Sequence, residues 1–351
     1  MQTIVKKLNR ENLDESAIVQ AGELLKKGGL VAFPTETVYG LGGSALLEDA
    51  AKKIYAAKGR PADNPLIVHI ADLQSLSVIV DHIPEQAWRL AEAFWPGPLT
   101  MVLPRTTLVP DSITGGLDTV AVRMPKDVVA QKLIQAGGGF VAAPSANVSG
   151  RPSPTMAKHV IEDLSGKVDM ILDGDAADIG LESTIIDLTE RPPRLLRPGS
   201  ITVSMLEAVL GEVAYDAEKA EIDAKVVKAP GMKYRHYAPK AQLVIVEGTS
   251  QEVLRGIQSL IEKNNQAGIA TGVIASEETY SQYRDALVKN IGRRGDEEQI
   301  AHNLYRILRE FDETDVAMIY SESFALQDME AAIMNRLYKA ANYTVCQAVD
   351  L

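Results

Sequence analysis

The chain has 351 residues, 46% of them apolar, which is enough for one large domain or two ordinary ones with buried cores. Its formal net charge of −11 argues against broad electrostatic binding to RNA, DNA or anionic lipid, although it is compatible with a local basic cleft. The single cysteine, Cys346, excludes an intrachain disulfide and a cysteine metal cluster. Because no segment resembles a signal peptide or a bilayer-spanning run, we expect a cytoplasmic protein without a membrane partner.

The first part of the chain alternates helical and extended patterns. The predicted helices cover residues 16–27, 49–57, 85–94, 127–135 and 202–210. The predicted strands cover residues 30–33, 66–70, 99–103, 119–124, 140–143, 170–172, 183–188 and 194–197. Such alternation is typical of an α/β sheet with helices on its faces.

The periodic pattern fades between Gly211 and Lys240, where prolines and glycines interrupt it, and this predicts a long linker. After the linker, strand patterns at 242–246, 271–275 and 316–320 alternate with helical patterns at 251–264, 297–311 and 329–341. We therefore predict a first domain over 1–210, a linker over 211–240 and a smaller α/β domain over 241–351.

Polar residues concentrate at the ends of predicted strands, which is where α/β folds usually place their sites. Lys58 and Arg60 combine a mobile ammonium with a rigid guanidinium fork, a pair suited to an anionic small molecule. The four polar segments are Pro34–Gly42, Lys58–Leu66 with His69, Pro144–Gly150 with Ser153, and Glu182–Thr184 with Arg197–Gly199.

Each of these segments also has a purely structural interpretation. Lys58 and Arg60 could complement the dipole at a helix end, and residues 145–149 could form a turn cluster. His69 could be a core histidine on an apolar strand. The run Gly40–Gly43 is a weak phosphate signal, because it fits neither the dinucleotide fingerprint nor the Walker loop.

The combination of segments is far more specific than any one of them. It comprises PTETVYGL at 34–41, KGRP at 58–61, NPL at 64–66, WPGPLT at 95–100, RMP at 123–125, PSANVSG at 144–150, EST at 182–184, RPG at 197–199 and PGMKYRHYAP at 230–239. In order and spacing these motifs resemble the threonylcarbamoyl-AMP synthases, the Sua5/YrdC/YwlC family, in the long two-domain Sua5 form. The resemblance implies a twisted mixed sheet with flanking helices around a deep cleft, followed by a smaller Rossmann-like α/β domain.

The resemblance also implies an activity. The family is a group of nucleotidyltransferases that form threonylcarbamoyl-AMP and pyrophosphate from L-threonine, bicarbonate or CO2, and ATP with Mg2+. The product serves the t6A modification of tRNA at adenosine 37, and a separate tRNA threonylcarbamoyl transferase complex consumes it. A protein in this position does not need to hold tRNA itself, which agrees with the acidic charge of the chain.

Site residues are implied by the same resemblance. The catalytic set is Lys58, Arg60, Ser145 and Asn147. The expected threonine contacts are Thr37, His69, Arg123, Ser183 and the backbone at Ala143. The expected ATP contacts are the catalytic set together with Asn64, Thr119, Ser153, Arg197, Tyr234 and His236. No protein ligand for Mg2+ is predicted, and the linker bearing Tyr234 and His236 is expected to act as a lid that excludes water.

Two alternatives remain open at this point. One is another carbamoyl-adenylate-forming enzyme, related to hydrogenase maturation factors, although such chains carry cysteine-rich zinc segments and this chain has one cysteine. The other is a non-catalytic RNA-binding module, which the negative charge and the lack of interleaved basic and aromatic residues argue against.

Overall fold

The computed structural model describes residues 2–61, 64–215, 237–324 and 329–351. The chain forms two compact units: the first is built mainly from residues before 216, and the second from residues after 236 together with Gly150–Pro152 and Ile179–Leu181. Tyr234, His236 and most of the predicted linker lie outside the described residues. Within the described ranges, every helix is too short or too polar to be a membrane span.

The first unit is organised around a ten-stranded mixed sheet in the order β1-β8-β2-β3-β7-β4-β6-β5-β9-β10. Its strands are β1 (Ile4–Lys7), β2 (Val31–Phe33), β3 (Gly40–Ser44), β4 (Ile67–His69), β5 (Leu99–Pro104), β6 (Thr119–Arg123), β7 (Val141–Ala142), β8 (Met170–Asp173), β9 (Thr184–Asp187) and β10 (Arg194–Arg197). Both parallel and antiparallel pairs occur, for example β4 with β6 and β5 with β6, so the mixed α/β fold predicted for this unit is confirmed.

The helices of the first unit cover both faces of this sheet. They are α1 (Glu15–Lys26), α2 (Glu48–Lys58), α3 (Leu76–Ile79), α4 (Glu85–Phe94), α5 (Asp111–Thr114), α6 (Val128–Ala136), α7 (Ala157–Leu164) and α8 (Val203–Leu210). Side chains alternate along β2, so that Val31 and Phe33 join the apolar cluster beneath α1 and α6 while Ala32 joins the larger cluster on the opposite face.

The second unit is a five-stranded parallel sheet in the order β13-β12-β14-β11-β15, and the Rossmann-like α/β fold predicted for it is confirmed. Its elements are β11 (Gln242–Glu247), α9 (Ser250–Gln266), β12 (Thr271–Ser276), β13 (Leu287–Gly292), α10 (Glu297–Asp312), β14 (Met318–Glu322), α11 (Glu330–Ala340) and β15 (Val345–Gln347). Helix α9 begins with a capping box in which Thr249 and Glu252 each accept the other's backbone N–H.

Every predicted helix and strand is present, with its ends shifted by at most two residues. The sequence patterns did not predict the edge strand β1, the short helices α3 and α5, helix α7, or strands β3, β13 and β15. Most of these are short or half-exposed, so they carry little hydrophobic periodicity.

Strand β3 corrects the interpretation of the glycine run as a weak phosphate signal. Residues 40–43 lie inside the sheet, between β2 and β7. A Cβ atom at Gly42 would lie 2.9 Å from both Phe33 Cε1 and Val141 Cγ1. Glycine is therefore needed here for close packing between strands.

We expect Gly42→Ala to destabilise the first unit by about 1–3 kcal/mol, because the added methyl overpacks a closed part of the core. Both tryptophans, Trp88 and Trp95, lie in this unit, so urea unfolding followed by their fluorescence reports on it directly. Gly43→Ala is the matched control, because its added methyl would meet only side-chain atoms at 3.3 Å or more. Equal stability of the two variants would contradict the packing argument.

Candidate active site

Two of the predicted polar segments, 34–42 and 144–150, are tied together by backbone hydrogen bonds. The Leu41 N–H donates to the Pro144 carbonyl at 2.9 Å, and the Ala146 N–H donates to the Tyr39 carbonyl at 2.8 Å. Gly40 and Ser145 form an isolated β-bridge between these bonds. Residues that are about one hundred positions apart in the sequence thus form one continuous wall of the site.

Lys58 joins the same wall from the last turn of α2. Its side chain is only 2% exposed, and its Nζ donates to the carbonyls of Ser145 and Asn147, the latter at 2.6 Å. The Ser145 hydroxyl donates to Asn147 Oδ1 at 2.6 Å, and the Ser149 N–H donates to the Lys58 carbonyl at 2.9 Å. Lys58, Ser145 and Asn147, here called the Lys58 cluster, are therefore brought together as three of the four predicted catalytic residues.

The fourth predicted catalytic residue, Arg60, is half-buried two positions after α2. Gly59 ends the helix in the left-handed conformation, with φ 63°. The Nε and Nη2 atoms of Arg60 are buried and have no hydrogen-bond partner among the described residues. Buried N–H groups without a partner are costly, and a phosphate oxygen is the partner that a guanidinium fork fits best.

Arg123 organises the predicted threonine contacts from the end of β6. It is 4% exposed, and its Nη1 donates to the Thr37 hydroxyl at 2.9 Å. Its Nη2 lies 2.8 Å from Glu36 Oε1, and its Nε donates to the Gly97 carbonyl at 3.3 Å. We call Glu36, Thr37, Gly97 and Arg123 the Arg123 cluster.

Ser183 and Arg197 form a neighbouring pair around Thr100. The Ser183 and Thr100 hydroxyls are 2.8 Å apart, and Thr100 lies opposite Arg123 in the β5–β6 register. Arg197 donates from Nη2 to the Ser183 hydroxyl at 3.1 Å and from Nε to its carbonyl at 3.0 Å. The register places these three residues beside the Arg123 cluster.

His69 and Ala143 complete this side of the site. His69 lies opposite Arg123 in the β4–β6 register, and the Ala143 N–H donates to the Ile67 carbonyl at 2.9 Å. Burial, reinforced by the positive charge of Arg123, lowers the pKa of His69 from 6.5 to about 3. The imidazole is therefore neutral, and its Nδ1 lies 3.2 Å from the Ile67 carbonyl oxygen. The backbone of Val141 is a second hydrogen-bond partner of the ring, and a neutral imidazole keeps one ring nitrogen as an acceptor.

Two of the remaining predicted ATP contacts, Thr119 and Asn64, lie toward the opposite end of β6 from the Arg123 cluster. Thr119 is the first residue of β6 and Arg123 the last, so about 13 Å of strand separates them. Asn64 is buried near the Thr119 end, close to Gly115. The fully buried Ser153 donates its hydroxyl to Glu182 Oε1 at 2.5 Å. Tyr234 and His236 lie outside the described residues.

Glu36 and Thr100 are site residues that were not among the predicted contacts. The signal for Glu36 was its place between two threonines of the first motif, and for Thr100 its place at the end of WPGPLT. Within the described ranges, no group of three or more His, Cys, Asp or Glu side chains is arranged to hold a metal ion.

Comparison with known proteins settles the family. A family profile described as "Telomere recombination" matches residues 23–199, and one described as "Threonylcarbamoyl-AMP synthase, C-terminal domain" matches residues 201–342. A Threonylcarbamoyl-AMP synthase of Pyrococcus abyssi is 50% identical over 336 residues, which cover 96% of this chain and 97% of the relative. The chain belongs to the threonylcarbamoyl-AMP synthase family. The matches to both profiles identify it with the long Sua5 form, as the motifs predicted.

Other relatives of the synthase family agree with this assignment. A Threonylcarbamoyl-AMP synthase of Bacillus subtilis is 48% identical over 329 residues, covering 93% of this chain and 94% of the relative. The crystal structure of P. abyssi Sua5 complexed with L-threonine superimposes with a TM-score of 0.92 at 48% identity, covering 98% of this chain and 99% of the other.

The state of His69 predicts how the first unit responds to acid. Its folded-state pKa of about 3 lies below the unfolded value of 6.5, so the unfolded state binds more protons between these values. The stabilising contribution of the neutral imidazole is therefore present above about pH 6.5 and is lost as the pH falls toward about 3. Between about pH 7 and pH 5, we expect the free energy of unfolding to fall by about 1–2 kcal/mol less in His69→Gln than in the parent chain.

Urea unfolding followed by tryptophan fluorescence at the two pH values measures this difference. The exposed His82 provides the matched control, because His82→Gln leaves the buried imidazole in place and should retain the pH dependence of the parent chain. If the free energy of unfolding changed equally with pH in all three proteins, the pKa of His69 would not be lowered by folding.

Proposed function

We propose that this chain forms L-threonylcarbamoyl-AMP and pyrophosphate from L-threonine, bicarbonate or CO2, and ATP. The observation that carries the proposal is the joining of the motifs at 34–41 and 144–150 by backbone hydrogen bonds. This joining puts the Lys58 cluster and the Arg123 cluster, one suited to a nucleotide and the other to an amino acid, in one site. The names and folds of the relatives support the same assignment.

On the amino-acid side, we propose that Arg123 binds the carboxylate of L-threonine. Its Nη1 donates one N–H to Thr37, and its Nη2, 2.8 Å from Glu36 Oε1, has no hydrogen-bonded acceptor among the described residues, so N–H groups of the fork remain that can donate to a carboxylate. The neutral His69 can accept a hydrogen bond from the threonine hydroxyl through its unprotonated ring nitrogen, and Ser183 and the backbone at Ala143 line the same side.

On the nucleotide side, the unpartnered N–H groups of Arg60 are proposed to bind phosphate oxygens. The threonine amine, once neutral, attacks CO2: a C–N bond forms, one C=O electron pair moves onto oxygen, and the amine proton passes to water or to a phosphate oxygen of ATP, which leaves a carbamate. A carbamate oxygen then attacks the α-phosphorus of ATP, a new P–O bond forms, and the bond to the bridging oxygen breaks to release pyrophosphate. The two reactants are both anionic, so nearby cations lower the barrier by reducing their repulsion.

The proposed site also includes Mg2+, four further nucleotide contacts and a lid. Mg2+ would arrive with ATP and neutralise part of the triphosphate charge, and Ser145 Oγ and Asn147 Oδ1 are oxygen donors of the type that it prefers. We propose Asn64, Thr119, Ser153 and Arg197 as further nucleotide contacts. Lid closure through Tyr234 and His236 remains a prediction, supported by the motif at 230–239.

We propose further that the product passes to a tRNA threonylcarbamoyl transferase complex for t6A synthesis in the cytoplasm, where ATP and amino acids are available. The formal charge of −11 supports a role that involves no stable binding of tRNA. An RNA-binding module without catalysis is not favoured, because it would leave the combined threonine-side and nucleotide-side clusters unexplained.

The proposal is tested by incubating the protein with ATP, L-threonine and bicarbonate. We expect pyrophosphate release only when all three are present. Arg60→Met should reduce release at least about 100-fold, because phosphate charge in the transition state loses its guanidinium. The exposed Arg284 of the second unit supplies the control variant Arg284→Met, which should react like the parent chain. Release without threonine would point to another carbamoyl substrate, and no release would reject the assignment.

A further inference from the structure

Glu36 is a buried carboxylate with an ion-pair partner but no hydrogen-bond donor among the described residues. It lies between Thr35 and Thr37, is 4% exposed, and has Arg123 as its ion-pair partner at 2.8 Å. That contact involves Oε1, but both carboxylate oxygens are buried and neither has a partner with hydrogen-bond geometry among the described residues. A buried carboxylate oxygen without a donor is costly, so the position calls for a group that donates to it.

The position of Glu36 limits what that donor can be. Its carboxylate and the Thr37 hydroxyl bind the same guanidinium, through Nη2 and Nη1 of Arg123 respectively. Glu36 and Thr37, a predicted threonine contact, therefore share Arg123 as a partner. Thr35 does not supply the missing donor, because its hydroxyl is directed at Thr37 and at the Val38 carbonyl.

The charges of the pair match those of a free amino acid. Arg123 alone would favour any small carboxylate, whereas a buried arginine and a buried glutamate side by side present one positive and one negative charge. In a free amino acid the carboxylate and the ammonium are attached to the same carbon atom, so the two charges lie side by side, as those of Arg123 and Glu36 do. Binding such a zwitterion adds no net charge to the buried site, which avoids the desolvation cost of an unbalanced ion.

We propose that Glu36 binds the α-ammonium group of L-threonine through Oε2, as the partner of the carboxylate clamp formed by Arg123. The inference rests on the proposed function for the identity of the amino acid. It makes Glu36 a specificity-determining residue that distinguishes amino acids from hydroxy acids of the same shape. The alternative role, in which Glu36 only holds Arg123 in place, predicts no such distinction.

Isothermal titration calorimetry with two ligands separates these roles. The first ligand is L-threonine, and the second is 2,3-dihydroxybutanoate of matching stereochemistry, in which a hydroxyl replaces the amino group. Glu36→Gln should weaken L-threonine binding at least about tenfold, because an ionic hydrogen bond is lost. The hydroxy acid should bind the variant as well as or more tightly than it binds the parent chain, because Arg123 is released from its ion pair.

Matched variants and the parent chain make the test decisive. Glu92→Gln, at an exposed position on α4, should leave both affinities unchanged, and Glu36→Asp should restore part of the preference for L-threonine. Equal weakening of both ligands by Glu36→Gln would overturn the inference and leave a positioning role. If Glu36→Gln does not fold, the parent chain still decides, because equal affinity for the two ligands would mean that the ammonium is not recognised.

The outcomes for Glu36 and for the proposed function can be told apart. If only the Glu36 inference is wrong, the parent chain still releases pyrophosphate from ATP, L-threonine and bicarbonate. If the proposed function is wrong, that release is absent whatever the two calorimetric affinities show.

Discussion

The contact of the buried Lys58 ammonium with the carbonyls of Ser145 and Asn147 is the interaction on which the site depends. A charged nitrogen is stable at 2% exposure only when oxygen atoms surround it, and here backbone oxygens do so. The loop after β7 is consequently fixed to the end of α2. The backbone bonds from Tyr39 and Leu41 then fix the first motif to the same loop.

This arrangement adds a structural role to the one predicted for Lys58. A lysine next to an arginine suggested two cations that face an anion together. In the structure the Lys58 ammonium is directed at the protein's own carbonyls, whereas Arg60 has buried N–H groups without a described partner. Lys58 therefore holds the backbone of Ser145 and Asn147 in position, and its contact with substrate oxygens stays a prediction.

Local patterns in the sequence predicted much of this molecule. Helix α2, its glycine end and the polar residues after it follow from periodicity and from helix-termination signals. The motifs then identified which strand ends carry the site. What the sequence could not supply were contacts between distant residues, such as Arg123 with Thr37, which are 86 positions apart. Glu36 was overlooked because an acidic residue in a turn gives no local sign of a partner on another strand.

Strand β3 was missed for a related reason. Its glycines carry no hydrophobic signal, and the need for them appears only when Phe33 and Val141 are placed on either side. The space left by Gly40 and Gly42 is filled by the ring of Phe33, which in turn meets the His69 imidazole edge to face with ring centroids 6.3 Å apart. The glycines of β3 thus leave room for Phe33 beside the imidazole. The packing of Phe33 over Gly40 and Gly42 thus contributes to the burial that lowers the pKa of His69.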